Sequence, residues 1–174
     1  MNKLLGPERL APLLVSWEIG PHVSRGFELE AKRDGAKFIE AEHMLLALAA
    51  DPDGDAARTL TEAGLDHQRL VSALQEERRR TLAFAGMSAP TTELVAATEL
   101  DTTLSFGTSA KTAIRRALLA RQHRRGRSRL KSSDLLLGIL QAELGTVPRA
   151  LAIAGVDRSA LITRVWGLKL RQSC

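Results

Sequence analysis

The 174-residue chain has a single cysteine, Cys174, no tyrosine, and aromatics at only 3% of its residues. A lone cysteine excludes an intramolecular disulfide and suits a reducing compartment, and a chain of this length buries roughly two thirds of its unfolded surface without one. Long apolar runs are also missing. The longest candidate, Met44 to Ala50, falls far short of the roughly 20 residues needed to cross a bilayer, so no membrane association is expected. The opening Met1 to Arg9 is charged and interrupted by Pro7 too early to hold a signal-peptide core, which leads us to expect a cytoplasmic protein.

The catalytic signatures are absent too. No G-x-x-x-x-G-K-[ST] loop is present to cradle a triphosphate, no H-E-x-x-H to hold zinc, and no G-x-S-x-G to present a nucleophile. His22, His43, His67 and His123 show no metal-ligand spacing. Asp51, Asp53 and Asp55 imitate part of a calcium loop, but Ala56 stands where that loop requires glycine. Neither an enzyme nor a cofactor or metal site is expected.

Acidic residues are missing from one long segment. Between Asp101 and Asp134 there are none, whereas Lys111, Arg115, Arg116, Arg121, Arg124, Arg125, Arg127, Arg129 and Lys131 all fall there. The net charge of +5 therefore reports one patch on a chain that is otherwise acidic. Segment 111–131 supports an alternative function, a nucleic-acid-binding regulator. No aromatic residue interleaves with these cations to stack bases, so nucleic acid is the less favoured partner.

What the chain does contain is a duplication. Without a gap, residues 23–74 lie over 114–165, pairing Gly35 with Gly126, Leu45 with Leu136, Leu46 with Leu137, Gly54 with Gly145 and Leu60 with Leu151. Ala63-Gly64 falls on Ala154-Gly155, Asp66 on Asp157, and Leu70 on Leu161.

Apolar spacing at three and four predicts four helices per repeat. The first carries Val23, Phe27 and Ala31 inward, with Leu29 a further candidate, and Gly35 supplies its left-handed stop. Phe38-Ile39 is an apolar pair in the connection. The second helix runs from about Glu40 to Ala50, burying Met44, Leu45 and Leu48. Asp53 or Asp55 is expected to cap the third and Asp66 the fourth, which enters solvent through Gln75 to Arg80. In the second repeat, Thr108 or Ser109, Ser132 or Ser133, Thr146 with Pro148, and Asp157 open the corresponding helices. Leu161, Ile162, Val165 and Trp166 are expected inward on the last. The expectation is an all-α fold: residues 1–20 an N-terminal docking segment, 21–80 the first repeat, 81–107 a linker and 108–174 the second, both repeats forming one domain.

The run Ala31-Lys32-Arg33-Asp34-Gly35-Ala36-Lys37-Phe38-Ile39-Glu40-Ala41-Glu42-His43-Met44-Leu45-Leu46-Ala47-Leu48, followed by Leu60 and Gly64, resembles the repeat of the Clp N-terminal domain family. There the repeat reads approximately A-x-x-x-G-H-x-x-I-x-x-E-H-L-L-L-x-L, and two copies make a pseudo-twofold bundle. The resemblance covers about residues 21–170. It implies a docking module like that above the motor of ClpC and ClpA unfoldases, which receives adaptors and clients for the ClpP protease. With no nucleotide loop in this chain, the implied module is free-standing and acts as adaptor or decoy.

In ClpC-type domains the glutamate before the histidine helps hold the guanidinium of phosphoarginine. Glu42 matches that position, but its second-repeat counterpart is Ser133, and Ala41 replaces the family's threonine. A serine cannot give a guanidinium the pairing a carboxylate gives, so at most one such pocket is implied. The expected surfaces are the groove around Glu40, Glu42 and His43, the segment around Phe84, and the face carrying Arg115, Arg121, Arg124 and Arg125. Arginine-phosphorylated clients, adaptors and Clp protease components are the implied partners.

Overall fold

The computed structural model describes residues 21–87, 104–121 and 130–171. The expected N-terminal docking segment, most of the expected linker, and Arg124, Arg125 and Gly126 lie outside these residues. The order is α1 (Pro21–Arg33), β1 (Phe38–Ile39), α2 (Ala41–Ala49), α3 (Asp55–Glu62), α4 (His67–Phe84), β2 (Ser105–Phe106), α5 (Thr108–Arg121), α6 (Ser132–Leu140), α7 (Thr146–Ile153) and α8 (Arg158–Arg171). The fold is all-α, with α1 to α4 repeated as α5 to α8.

Beyond their first turns, helices α2 and α6 are apolar all round and form the centre. Met44, Leu45 and Leu48, together with Leu135, Leu136 and Leu137, have no exposed surface, as a helix without a polar face requires. Around them α1 packs on α2 and α5 on α6, while the fourth helices cross over: α4 lies against α7, and α8 against α3. Arginines seal this exchange at the helix C-termini. Arg69 of α4 donates to the Ala154 carbonyl at 3.0 Å, and Arg164 of α8 donates to the Glu62 carbonyl at 3.2 Å. Carbonyls at helix ends lack intrahelical partners, and each repeat supplies them to the other.

Where α1 meets α2, Gly26 faces Ala47; where α5 meets α6, Ala117 faces Gly138. These are equivalent positions with the residues exchanged, so each crossing carries one glycine and one alanine. Gly64 and Gly155, at φ of 74° and 71°, stop α3 and α7 in the left-handed conformation that favours glycine.

Several local expectations change. The pair Phe38-Ile39 forms a two-residue parallel pairing with Ser105-Phe106, and the Gly107 N–H donates to the Ile39 carbonyl at 2.8 Å. This backbone bridge joins the two repeats, and two residues were too few for an alternating strand pattern to show. Leu29 is 49% exposed, because it lies two residues from Phe27 and so on the far side of α1. Helix α4 continues beyond Arg80 to Phe84, since Arg79 and Arg80 both pair with Glu76 on its exposed face.

Caps differ as well. Asp66 and Asp157 accept backbone N–H groups at the starts of α4 and α8, as expected. The N-cap of α3, however, is Gly54 rather than Asp53 or Asp55, and that of α6 is Lys131 rather than either serine. At α2 and α6 the third helical residue reaches back instead. His43 Nδ1 accepts from the Glu40 N–H at 2.9 Å, and Asp134 Oδ2 accepts from the Lys131 N–H at 3.0 Å. Different side chains at equivalent positions perform the same half of a capping box.

Candidate functional site

A cleft of about 580 Å³ opens between α1, the start of α2, α4 and α7. It exists because α4 crosses onto α7, which brings Thr146 and Arg149 of the second repeat against residues of the first. Its apolar floor includes Leu46, Val71, Leu74 and Leu82, and its polar wall is a set of carboxylates and arginines.

Three of the four carboxylates are held by cations. Glu30, buried on α1, accepts from Arg33 at 2.9 Å and lies 3.2 Å from His67 Nε2. Asp34, just past α1, accepts from both terminal nitrogens of Arg78 and lies 3.3 Å from His43 Nε2. Glu77, buried on α4, accepts from Arg149 Nε at 2.6 Å and from the Thr81 hydroxyl at 2.8 Å. Burial pushes the Asp34 carboxyl up, but the hydrogen bonds from His43 and Arg78 outweigh it and hold the group below the usual carboxylate range.

Glu42 is the fourth. It stands in the first turn of α2, half-buried, and among the described residues no cation forms a hydrogen bond or salt bridge with it. Arg78 is close enough to feel its charge, yet both of Arg78's hydrogen bonds go to Asp34. Burial pushes the Glu42 carboxyl up from its ordinary value. Its own backbone N–H and His43 pull it down, while Glu40 and Asp34 add to the rise.

This shift fixes a sign for stability. A carboxyl whose folded pKa is raised binds more protons in the native state, so stability falls as pH climbs from the unfolded value through the folded one. Glu42→Gln is therefore expected to raise the melting temperature at about pH 8, and the gain should vanish near pH 3, where the carboxyl is protonated in both the folded and the unfolded chain. Melting curves at the two pH values check this; equal curves at the upper pH would show that Glu42 is not desolvated.

The other expected site residues are dispersed. Glu40 faces away from the cleft and joins the repeats: its carboxylate accepts from the Ser109 N–H at 3.0 Å and from the Ser109 hydroxyl, whose oxygen accepts from the Ala41 N–H at 2.8 Å. Ser109 therefore does not cap its own helix; Glu40 serves the start of α5 in its place. A Cβ on Gly107 would collide with the Glu40 carboxylate, so the bridge depends on glycine there. His43 is 3% exposed and is held by Glu40 and Asp34. Phe84 is 98% exposed at the end of α4. Arg115 and Lys111 are exposed one turn apart on α5, away from the cleft-lining residues, and Arg121 is half-buried at its end.

Sequence reading missed Glu30, Asp34, Glu77, Arg78 and Arg149. The signal was present for two of them. Glu30 and Glu77 fall at positions three beyond Phe27 and Leu74, on the apolar stripes of their helices, where a charge must have a partner. The second repeat has no matching set: Glu30 lies over Arg121, Glu77 over Leu168, and Glu42 over Ser133, whose side chain is buried.

The comparisons agree with this architecture. Residues 27–154 match the model of the Clp repeat (R) N-terminal domain. The fold is similar to the crystal structure of the N-terminal domain of the caseinolytic protease associated chaperone ClpD from Arabidopsis thaliana, with a TM-score of 0.61 at 16% identity, covering 88% of this chain and 93% of that one. No curated protein matches the chain in sequence.

Proposed function

The chain belongs to the Clp repeat N-terminal domain family, and from that premise we propose that it is a non-catalytic docking module whose cleft takes a guanidinium-bearing peptide on Glu42. One observation carries this reading. Glu30, Asp34 and Glu77 each hold a cation already, whereas Glu42 is partly withdrawn from water without one among the described residues. An arginine side chain entering the cleft supplies the missing charge, and a planar fork of N–H donors suits a carboxylate better than any neutral group. The apolar floor then covers the neighbouring residues of the peptide.

In this reading the module recruits or withholds clients of a Clp protease, as adaptor or decoy, in the cytoplasm. Among the described residues no helix is long and apolar enough to cross a membrane. The α5 face with Lys111 and Arg115 is a separate surface, and α5 carries no aromatic residue on which bases would stack. That favours a peptide in the cleft over a nucleic acid on α5.

Calorimetry with an arginine-bearing peptide tests the reading. Glu42→Ala is expected to weaken binding about tenfold or more, the usual worth of a charge-assisted pair. Binding in mildly acidic buffer should also release a proton, because a cation beside Glu42 favours its ionised form, and the measured heat should then vary with the buffer. A wild-type protein that binds no such peptide, or a variant that binds it equally well, rules the reading out.

A further inference from the structure

We propose that the outward face of α5 is a second docking surface, independent of the cleft, and that it takes an acidic protein segment bearing an aliphatic residue. Helix α5 holds Lys111, Arg115, Arg116 and Arg121 and no acid. Among the described residues none of these four forms a hydrogen bond or salt bridge. Lys111 and Arg115 are exposed, and Leu119, one turn further along the same face, is 53% exposed. Positions four apart on a helix stand about 6 Å from one another along its axis, so these three residues make one short line of two charges with an apolar end.

The fold does not require these charges. Helix α1 has the same place in the first repeat, and it mixes Arg25, Lys32 and Arg33 with Glu28 and Glu30. It ties Lys32 to Glu28 and Arg33 to Glu30, each at 2.9 Å. In the duplication Arg115 lies over Ser24 and Leu119 over Glu28, so the second repeat carries a cation and an exposed leucine where the first has a serine and an acid. The helix dipole favours Arg121, in the last turn, but Lys111 stands in the first turn beside the positive end and repels Arg115 four residues on. That repulsion weakens the free helix, and acids arriving from outside relieve it.

Leu119 separates the two kinds of acidic partner. A phosphate backbone has no apolar group to cover it, and two exposed cations neutralise few phosphates. A protein segment with two acids and a leucine at four-residue steps matches both the charges and the apolar end.

Fluorescence anisotropy with the full chain tests this, using a labelled alanine-based helical peptide that carries two glutamates and a leucine at four-residue steps. The peptide is expected to bind, its glutamine twin at least about tenfold more weakly, and the affinity should fall as salt rises. Arg115→Glu should abolish the preference for the acidic peptide and yet raise the melting temperature by about 1–3 °C, because it turns a repulsive pair with Lys111 into an attractive one. A fall in melting temperature would show that Arg115 serves the fold and overturn the proposal. Equal binding of the two peptides, binding of neither, or tighter binding of a labelled DNA duplex overturns it as well.

Discussion

Gly138→Ala is expected to cost about 3 kcal/mol of stability, enough to lower the melting temperature by roughly 6–12 °C in a domain of this size. A Cβ at this position would collide with the Ala113 carbonyl oxygen, and it would stand 2.8 Å from the Ala117 nitrogen and 3.0 Å from the Ala117 Cβ. Two of these atoms belong to the backbone of α5, so no side-chain rotation relieves the contact. The helices must separate, which opens the interface at Ala113 and Ala117, both buried. Alanine gains about 1 kcal/mol over glycine in helix propensity, and the overpacking must exceed that gain for the net loss to appear.

The equivalent crossing of the first repeat supplies the control. A Cβ on Gly26 would lie 3.1 Å from the Ala47 Cβ and meet no backbone atom closer than 3.9 Å. Gly26→Ala should therefore change stability by less than about 1 kcal/mol, with propensity offsetting most of the crowding. Chemical denaturation of the two variants separates them. Equal stabilities would show that α5 and α6 do not approach as closely as described.

The contrast between these crossings marks what a sequence conveys. The helices of both repeats were legible because apolar positions recur at helical spacing and because Gly64 and Gly155 end equivalent helices. The duplication also implied a common core, and α2 with α6 form it. Polar residues were harder to place, because a charge on a helix is ordinarily solvated. The run Gln75 to Arg80 read as a solvent-facing tail, yet Glu77 is buried and Arg78 is spent on Asp34. Its partners come from the turn after α1 and from α7, and the crossing of the fourth helices makes them neighbours.

Glu40 shows the same difficulty in reverse. Its place at the entrance to α2 suggested a ligand contact, but the start of α5 also needs an acceptor for its first N–H groups, and Glu40 fills that need across the repeats. Within the motif, then, Glu40 and His43 have partners in the fold, whereas Glu42 has no cation bonded to it among the described residues. Neighbouring residues in sequence acquire different roles because each already has, or lacks, a partner from elsewhere in the chain.

That distinction can be measured at the bridge between the repeats. Arg149→Ala is expected to destabilise the protein by about 2 kcal/mol, because among the described residues it leaves the Glu77 carboxylate, 6% exposed, with only the Thr81 hydroxyl. The figure lies below the usual cost of breaking a buried pair because the Arg149 side chain is 56% exposed and water can partly replace it. The second repeat indicates the remedy, since Leu168 occupies the position equivalent to Glu77. Combining Glu77→Leu with Arg149→Ala removes the stranded charge along with its partner and should recover most of the loss, since an apolar pair can replace a buried ion pair at little cost. In a double-mutant cycle, the coupling between the two positions should then approach the full effect of Arg149→Ala. Additive losses would mean that Arg149 acts by packing against α4, and that the charge of Glu77 is not what it answers.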